Sequence, residues 1–197
     1  MSATLPKIHS IATGLNIQFN PIIKDAQKRY LQNPNFKNRV LFDFSLIDKY
    51  ETISVSDLAD EVLKESSKYS LKKSSVHTIV EFIHKKSTTD FYDSIIKKEG
   101  EFSFDKILVL SGTILEPRRK EIINFLKDDE NRVKTILLIT TQVVEAGVDI
   151  DMDLGFKNIS LLDSDEQLAG RINGNAKKEK CRLFLFKKDE PFFIIKI

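Results

Sequence analysis

Apolar segments of strand length alternate with segments of helical periodicity along most of this chain. The run from Thr135 to Ile139 is short and rich in β-branched residues, as is typical of a buried parallel strand. Seven segments are predicted to form strands, at 39–44, 76–83, 106–110, 135–139, 157–162, 181–186 and 192–195. Because helical patterns separate many of them, the order predicts an α/β fold with a parallel, helix-covered sheet.

Three predicted helices carry capping signals and apolar faces. Ser54 offers the N-cap of the first helix, and a polar segment at 64–75 follows that helix. Thr88 or Thr89 offers the N-cap of the second, and Pro117 suits the first turn of the third. The positions expected to face the core are Leu58, Val62, Leu63, Phe91, Ile95, Ile96, Ile122, Ile123 and Leu126.

The bulk composition is that of a folded domain and does not by itself indicate a ligand. The chain has 197 residues, of which 41% are hydrophobic, and its formal net charge is only +2. A nucleic-acid site must therefore come from local patches rather than from overall charge. The single cysteine, Cys181, lies in an apolar run and is expected in the core. No signal peptide or apolar span of membrane length is evident, which favours a cytoplasmic protein.

Uncharged polar residues directly follow two of the predicted strands. Thr140, Thr141 and Gln142 come after one of them, and Ser111 to Thr113 come after another. Open α/β sheets bind ligands beyond the carboxyl ends of their strands. Hydroxyl, amide and backbone N–H groups in that place predict contacts to phosphate oxygens, which fix a nucleic acid without reading its sequence. The alternative is that these hydroxyls cap a helix or form an ordinary turn.

Two longer stretches carry a specific resemblance. Residues 140–151 read Thr-Thr-Gln-Val-Val-Glu-Ala-Gly-Val-Asp-Ile-Asp, and residues 167–173 read Gln-Leu-Ala-Gly-Arg-Ile-Asn. In this order they resemble motifs V and VI of the superfamily 2 helicases, and their residues are similar to those of the CRISPR-associated helicase of type I systems. Ser-Ala-Thr at 2–4 resembles motif III of the same family, and Ser-Gly-Thr at 111–113 resembles motif IV.

The resemblance implies a RecA-like fold of the P-loop NTPase type, in the form of a second helicase domain without a Walker A motif. The dipeptide Gly-Lys, which a Walker A requires, never occurs in the chain. Residues 38–197 are expected to form the helicase C-terminal RecA-like domain. Residues 1–37, with motif III at 2–4, are expected to be a linker and a remnant of the preceding RecA-like domain.

The same resemblance implies the C-terminal half of an ATP-dependent, single-stranded-DNA translocating helicase in type I CRISPR interference. Its cofactor would be ATP with Mg²⁺, bound mainly by an N-terminal helicase half that carries Walker A and Walker B. Further partners would be an HD nuclease domain, the Cascade surveillance complex and single-stranded DNA. The chain alone is expected to be inactive as an ATPase, and an exposed interdomain face leaves self-association open.

The resemblance also assigns roles to individual residues. The expected DNA-binding residues are Ser111, Thr113, Thr140, Thr141 and Gln142. The expected ATP-binding residues are Gly147, Asp149, Gly170 and Arg171, and the expected catalytic residues are Arg171 and Gln167. Arg171 matches the first arginine finger of motif VI, a guanidinium that neutralises charge during phosphoryl transfer. Gly174 stands where the second arginine is expected, which is a departure from the motif.

Both sets of residues are expected to line one crevice, formed by loops at the tips of adjacent strands. Two alternatives remain open at the level of sequence. One is a non-catalytic module that docks on a helicase, on Cascade or on DNA, and the missing Walker A and Gly174 favour it. The other is half of another superfamily 2 repair helicase. Among the basic residues, Arg118 and Arg119 have the best claim to DNA, and no His-Asp dipeptide indicates a metal site.

Overall fold

The structure is a computed structural model that describes residues 39–98, 102–144, 148–160, 167–174, 178 and 181–189. Several predictions concern residues outside these ranges. They are motif III at 2–4, the remnant and linker at 1–37, Gly147, and the strand at 192–195.

Six parallel strands form one sheet in the described part of the chain. They are β1 (Val40–Asp43), β2 (Val76–Phe82), β3 (Lys106–Leu110), β4 (Thr135–Thr141), β5 (Leu154–Asn158) and β6 (Cys181–Phe186). Their order across the sheet is β1-β6-β5-β2-β4-β3, and every neighbouring pair is parallel. The predicted α/β fold with a parallel sheet is confirmed.

Strand β5 begins earlier than predicted. Its first residue is Leu154 rather than residue 157. Gly155 interrupts the apolar pattern at this point, and glycine in a strand often marks a close approach of neighbouring groups. Here that approach comes from the side chains of Ile172 and Leu183, which a Cβ at Gly155 would strike. Gly155 therefore makes the strand hard to recognise in the sequence, and the packing of its neighbours requires a glycine at this position.

The α-helices with defined bounds in the described ranges are α1 (Ser45–Tyr50), α2 (Val55–Lys73), α3 (Lys85–Lys97) and α4 (Glu116–Lys127), and they cover the sheet. Short 3₁₀ turns occupy Asp129–Val133 and Gln142–Val144. Pro117 lies in the first turn of α4 as predicted, and Ile122 and Leu126 are buried. No helix in the described ranges combines the length and the apolar composition that a membrane crossing requires.

Helix α2 is longer than predicted. Its start is as expected, because the hydroxyl of Ser54 accepts a hydrogen bond from the backbone N–H of Asp57 at 3.1 Å. The polar segment 64–75, which the sequence analysis places after the helix, is itself helical except for its last two residues. One side of this extension is held by the sheet, since the hydroxyls of Ser66 and Thr78 lie 2.9 Å apart in a buried contact.

Helix α3 begins earlier than predicted. Its first residue is Lys85, so the predicted threonine N-cap is wrong. The hydroxyl of Thr88 instead donates to the carbonyl of Lys85 at 2.6 Å, inside the helix. Phe91 is buried as predicted, whereas Ile96 is 52% exposed. Consecutive helical residues point about 100° apart, so Ile96 turns outward once Ile95 faces the core.

The sheet separates two hydrophobic layers. The layer beneath α1, α2 and α3 contains Leu46, Leu58, Val62, Val80, Phe91 and Phe156. The layer on the α4 face contains Ile79, Ile122, Leu126, Val144, Ile150, Leu168 and Ile172. Cys181 also lies in this second layer, as predicted. Burial raises the pKa of its thiol to about 11, so the thiol stays protonated near neutral pH.

A buried ion pair joins two central strands. Glu81 on β2 and Lys157 on β5 are register partners, and their side chains form a salt bridge in which each is 1% exposed. Two charges so fully removed from water are tolerated only because each neutralises the other.

Loss of one partner is therefore expected to destabilise the domain strongly. Lys157→Met should lower the free energy of unfolding by about 3–5 kcal/mol, because it leaves the Glu81 carboxylate buried without its counter-charge. The double variant with Glu81→Leu should recover most of this loss. Urea unfolding followed by far-UV circular dichroism measures both. A Lys157→Met variant as stable as the wild type would contradict this expectation.

Candidate functional site

A shallow cleft opens at the edge of the sheet where β2, β3 and β4 end. Its volume is about 460 Å³, and much of it is open to solvent. The lining residues are Ile83, Lys85, Gly112, Thr113, Thr141, Gln142 and Val143. We call it the carboxyl-edge cleft. Its polar lining consists mainly of hydroxyl, amide and backbone groups.

The parallel register explains why these residues meet. Thr141, the last residue of β4, is paired with Phe82 at the end of β2, and Thr140 is paired with Leu110 at the end of β3. Three strand ends therefore coincide, and the turns that follow them lie side by side. The predicted DNA-binding residues that line the cleft are Thr113, Thr141 and Gln142.

Thr140 does not face the cleft. Its side chain is fully buried, and its hydroxyl lies 2.8 Å from the carbonyl oxygens of both Leu110 and Thr141. Successive side chains of a strand point to opposite faces, so a strand that presents Thr141 at its tip turns Thr140 inward. This burial is at odds with the direct DNA contact predicted for Thr140. Its hydroxyl instead ties the tips of β3 and β4 together.

Ser111 is also turned away from solvent. It is only 7% exposed, and its hydroxyl lies 3.2 Å from that of Thr113. Thr113 is exposed and lines the cleft. The two hydroxyls form one hydrogen-bonded unit, in which Ser111 supports the residue that faces solvent.

The two arginines in the first turns of α4 occupy different environments. Arg119 Nη2 donates to the carbonyl of Val143 at 3.1 Å and so fastens the turn after β4. Arg118 pairs with Glu121 at 2.7 Å on the exposed side of the helix. Neither arginine is among the residues that line the carboxyl-edge cleft. Their contact with DNA stays a prediction.

Lys85 also lines the cleft, although the sequence analysis assigns it no role. It is the first residue of α3, just beyond the turn that follows β2. An ammonium group in this position can neutralise a phosphate as a point charge. The signal that was available is a basic residue directly after a predicted strand. The sequence does not reveal that this strand lies beside β4.

Arg171 and its neighbours lie where the strands begin. The backbone N–H of Met152, two residues before β5, donates to the carbonyl of Arg171 at 2.9 Å. The N–H of Asn173 donates in turn to the carbonyl of Met152 at 2.9 Å. Arg171 is partly exposed in a turn that follows a short helical segment at 167–169, and Gln167 begins that segment. We call this side of the sheet the amino edge.

Asp149 and Gly170 lie on the same edge. Asp149 is highly exposed, and its carboxylate is 3.3 Å from the ammonium of Lys127 at the end of α4. The carbonyl oxygens of Ile150 and Gly170 lie 3.5 and 3.6 Å from the position that a Cβ on Gly174 would take. The described members of the predicted ATP-binding set are thus gathered around one turn.

The expectation that both sets of residues line a single crevice is wrong. Thr141 ends β4 at the carboxyl edge, whereas the carbonyl of Arg171 accepts a hydrogen bond from the backbone N–H of Met152 at the amino edge. The seven residues of β4 separate the two edges by about 20 Å, at roughly 3.3 Å per residue. The cause is topological, because the turn that carries Arg171 comes before β6. In a parallel sheet, the segment before a strand lies opposite the strand tips.

A charged network lies beside the Arg171 turn. The ammonium of Lys178 is 2.5 Å from Asp153 Oδ1 and 3.3 Å from Asp151 Oδ2. Asp153 Oδ2 accepts the backbone N–H of His77 at 2.7 Å, and Arg132 donates to the carbonyl of Asp151 at 2.6 Å. Burial lowers the pKa of His77, so its imidazole is neutral near pH 7. The carboxylates of Asp151 and Asp153 therefore lie beside two cationic side chains, those of Lys178 and Arg132.

The amino edge presents charged side chains of both signs. Arg171 is partly exposed as a residue although its Nε atom is buried, and Asp149 carries an exposed carboxylate. Within the described ranges, no group of three or more His, Cys, Asp or Glu side chains is placed to hold a metal ion.

Sequence comparison places most of the chain in one family. Residues 72–177 match the family described as CRISPR-associated nuclease/helicase Cas3, C-terminal. The CRISPR-associated nuclease/helicase Cas3 of Methanothermobacter thermautotrophicus is 28% identical over 179 residues, which cover 89% of this chain and 20% of that relative. The chain therefore spans about a fifth of the length of this curated relative.

Solved structures share the fold. The crystal structure of T. fusca Cas3 is 18% identical, with a TM-score of 0.59, over 79% of this chain and 19% of its own. Domain 2 of the DEAD-box helicase Mss116p bound to an RNA duplex is 22% identical, with a TM-score of 0.55, over 70% and 54%. The fold is therefore that of a second RecA-like helicase domain. Because the family match covers more than half of the 197 residues, the chain belongs to the Cas3-like C-terminal family of CRISPR-associated nuclease/helicases.

Proposed function

We propose that this chain supplies the C-terminal half of an ATP-dependent helicase that translocates on single-stranded DNA during type I CRISPR interference. Membership of the Cas3-like family supports the helicase assignment. The proposed partner for hydrolysis is an N-terminal half that binds most of ATP and Mg²⁺ through Walker A and Walker B. An HD nuclease domain and the Cascade complex are the further proposed partners.

Single-stranded DNA is proposed to lie across the carboxyl-edge cleft. Thr113, Thr141 and Gln142 offer uncharged hydrogen-bonding groups, and Lys85 adds one positive charge. Such contacts fix the position of a phosphate backbone without reading its bases. A lining of this kind holds the strand less tightly than a row of arginines would, which suits a motor that must release the strand in each cycle. The buried hydroxyl of Thr140 keeps the strand tips in place.

The amino edge is proposed to face ATP held by the N-terminal half. When bound, ATP with Mg²⁺ supplies the phosphoryl group that is transferred to water. The guanidinium of Arg171 would neutralise charge on the phosphate oxygens. Asp149 is the proposed partner of the ribose or of the attacking water. Gln167, Gly170 and Gly147 are proposed to complete the nucleotide-facing turns.

One short segment joins the two edges, and this observation carries the motor proposal. The chain leaves the cleft at Thr141 and reaches the amino edge at Asp151, ten residues later. Val144, Val148 and Ile150 within it are buried in the layer on the α4 face. Close-packed side chains such as these three do not shift freely, so a displacement at one edge is expected at the other. A motor needs such a link between DNA movement and ATP hydrolysis.

Helix α4 holds this segment near both ends. Arg119 binds the carbonyl of Val143 near the cleft, and Lys127 pairs with Asp149 near the amino edge. Both contacts come from one helix, which therefore touches the segment near each of its ends. This arrangement favours coupled edges over two independent binding sites.

A non-catalytic binding module is the second candidate, and Gly174 is the observation that favours it. Position 174 offers no side chain where motif VI has its second arginine. A larger residue has room there, since its Cβ would make ordinary contacts with the carbonyls of Ile150 at 3.5 Å and Gly170 at 3.6 Å. Gly174→Arg is therefore a usable test of whether a second guanidinium matters.

The proposed cleft predicts salt-sensitive binding of single-stranded DNA. Lys85→Ala should weaken binding of a labelled oligothymidine and reduce the slope of log Kd against log salt concentration by about 0.7, because one phosphate contact is lost. Lys72→Ala removes the same charge from the exposed end of α2 near the amino edge, and should leave the affinity nearly unchanged. Fluorescence anisotropy over a salt series measures both. Equal losses in the two variants would remove the cleft as the binding site.

The helicase proposal predicts no ATPase for this chain alone and DNA-stimulated ATPase when it is mixed with the matching N-terminal half. In that mixture, Arg171→Ala should lower kcat on the order of 10³-fold, as expected for the loss of an arginine finger. Phosphate release with and without single-stranded DNA measures the effect.

Gly174→Arg then separates the two candidate functions. Activity of the wild-type mixture that disappears with Arg171→Ala supports the motor. A mixture that stays inactive even with Gly174→Arg supports the binding module. ATP turnover by the isolated chain would contradict both.

A further inference from the structure

The residues before β5 hold the Arg171 turn by more than backbone pairing. Asp151 Oδ1 accepts a hydrogen bond from the backbone N–H of Gly174 at 2.9 Å. The two backbone bonds of Met152, to Arg171 and to Asn173, lie directly beside this contact. The turn is therefore fastened at its first residue, in its middle and at its last residue.

Asp151 is a shielded carboxylate between two cations. Its side chain is 13% exposed, and Oδ2 lies 3.3 Å from the Lys178 ammonium and 3.8 Å from Arg132 Nη2. Lys178 also pairs with Asp153 at 2.5 Å, which fixes the ammonium between the two carboxylates. One oxygen of Asp151 thus faces the cations, while the other is directed at the N–H of Gly174.

Asn173 brings Lys178 into this position. Its carboxamide accepts the backbone N–H of Lys178 at 3.0 Å and donates to the carbonyl of the same residue at 3.0 Å. A further donation reaches the carbonyl of Arg39 at 3.3 Å. The φ angle of Asn173 is +50°, a left-handed conformation that asparagine adopts more readily than most residues. The backbone of Lys178 is thereby set at a defined place beside Asp151.

We propose that Asp151 is the positioning residue for Arg171 and that Lys178 holds Asp151 in its orientation. The inference rests on the proposed role of Arg171 toward ATP and deepens it. A guanidinium acts on a phosphate only when its backbone is placed to within about 1 Å. Asp151 acts through the N–H of Gly174. Without that contact the turn keeps its bonds to Met152 but loses the anchor at its far end.

Amide hydrogen exchange in the chain itself tests whether Asp151 holds the turn. Asp151→Ala should speed exchange of the Gly174 amide roughly tenfold or more, as expected for the loss of a charge-assisted hydrogen bond. Amides of β4 should keep their wild-type rates, which a general loss of stability would not allow. Asp93→Ala removes the same charge from an exposed site on α3 and should leave Gly174 unaffected. Unchanged exchange at Gly174 in Asp151→Ala overturns the proposal.

The reconstituted ATPase tests whether this hold serves catalysis. In the mixture with the N-terminal half, Asp151→Ala should lower kcat roughly ten- to hundredfold, with unchanged KM for ATP and unchanged affinity for single-stranded DNA. Lys178→Arg keeps the cation and should retain most of the activity, whereas Lys178→Met should not. A wild-type kcat in Asp151→Ala overturns the positioning role.

The two proposals fail in different ways. A wild-type mixture without ATPase contradicts the proposed helicase function. Exchange at Gly174 then decides separately whether Asp151 holds the turn.

Discussion

The parallel pairing of β4 with β2 and β3 is the interaction on which both proposed sites depend. It aligns three strand ends at the carboxyl edge, and it forces each connection to return across a face of the sheet before the next strand begins. Thr141 and Asp151 therefore lie at opposite edges although only ten residues separate them in the chain. The described apolar residues between them, Val143, Val144, Val148 and Ile150, are packed on the α4 face.

The two edges differ in chemistry in a way that suits different ligands. The polar part of the lining of the carboxyl-edge cleft consists mainly of hydroxyl, amide and backbone groups, which suit the proposed DNA strand that is held and released. The amino edge carries Arg171 and Asp149 at its surface, with Asp151, Asp153 and Lys178 paired beside them. Charges that neutralise one another there stiffen the turn, and stiffness is what a guanidinium directed at a phosphate requires.

Much of the fold was predictable because the buried strands are nearly continuous apolar runs. The runs that became β4 and β6 are of this kind. The start of α4 was predictable for another reason, because Pro117 suits the first turn of a helix. The extension of α2 was not predictable, because its polar residues form a helix only where the sheet holds one side of it. The start of β5 was not predictable either. Gly155 is needed there because the side chains of Ile172 and Leu183, which are distant in the sequence, pack against it.

The candidate site was predicted in its residue types but not in its arrangement. The motifs identified Thr141 and Arg171, but a single crevice was inferred because the order of strands and edges cannot be read from spacing. The inward turn of Thr140 follows from strand alternation once the end of β4 is known. Lys85 was missed because its place in the cleft depends on β2 lying next to β4.

The central claim is that DNA and ATP act at opposite edges joined by the segment from Thr141 to Asp151. A structure of the chain with its N-terminal half, single-stranded DNA and a non-hydrolysable ATP analogue tests it most directly. We predict DNA phosphates beside Thr141 and Lys85, and the guanidinium of Arg171 beside the γ-phosphate at the other edge. Density for both ligands at one edge, or a nucleotide bound away from Arg171, would contradict the claim.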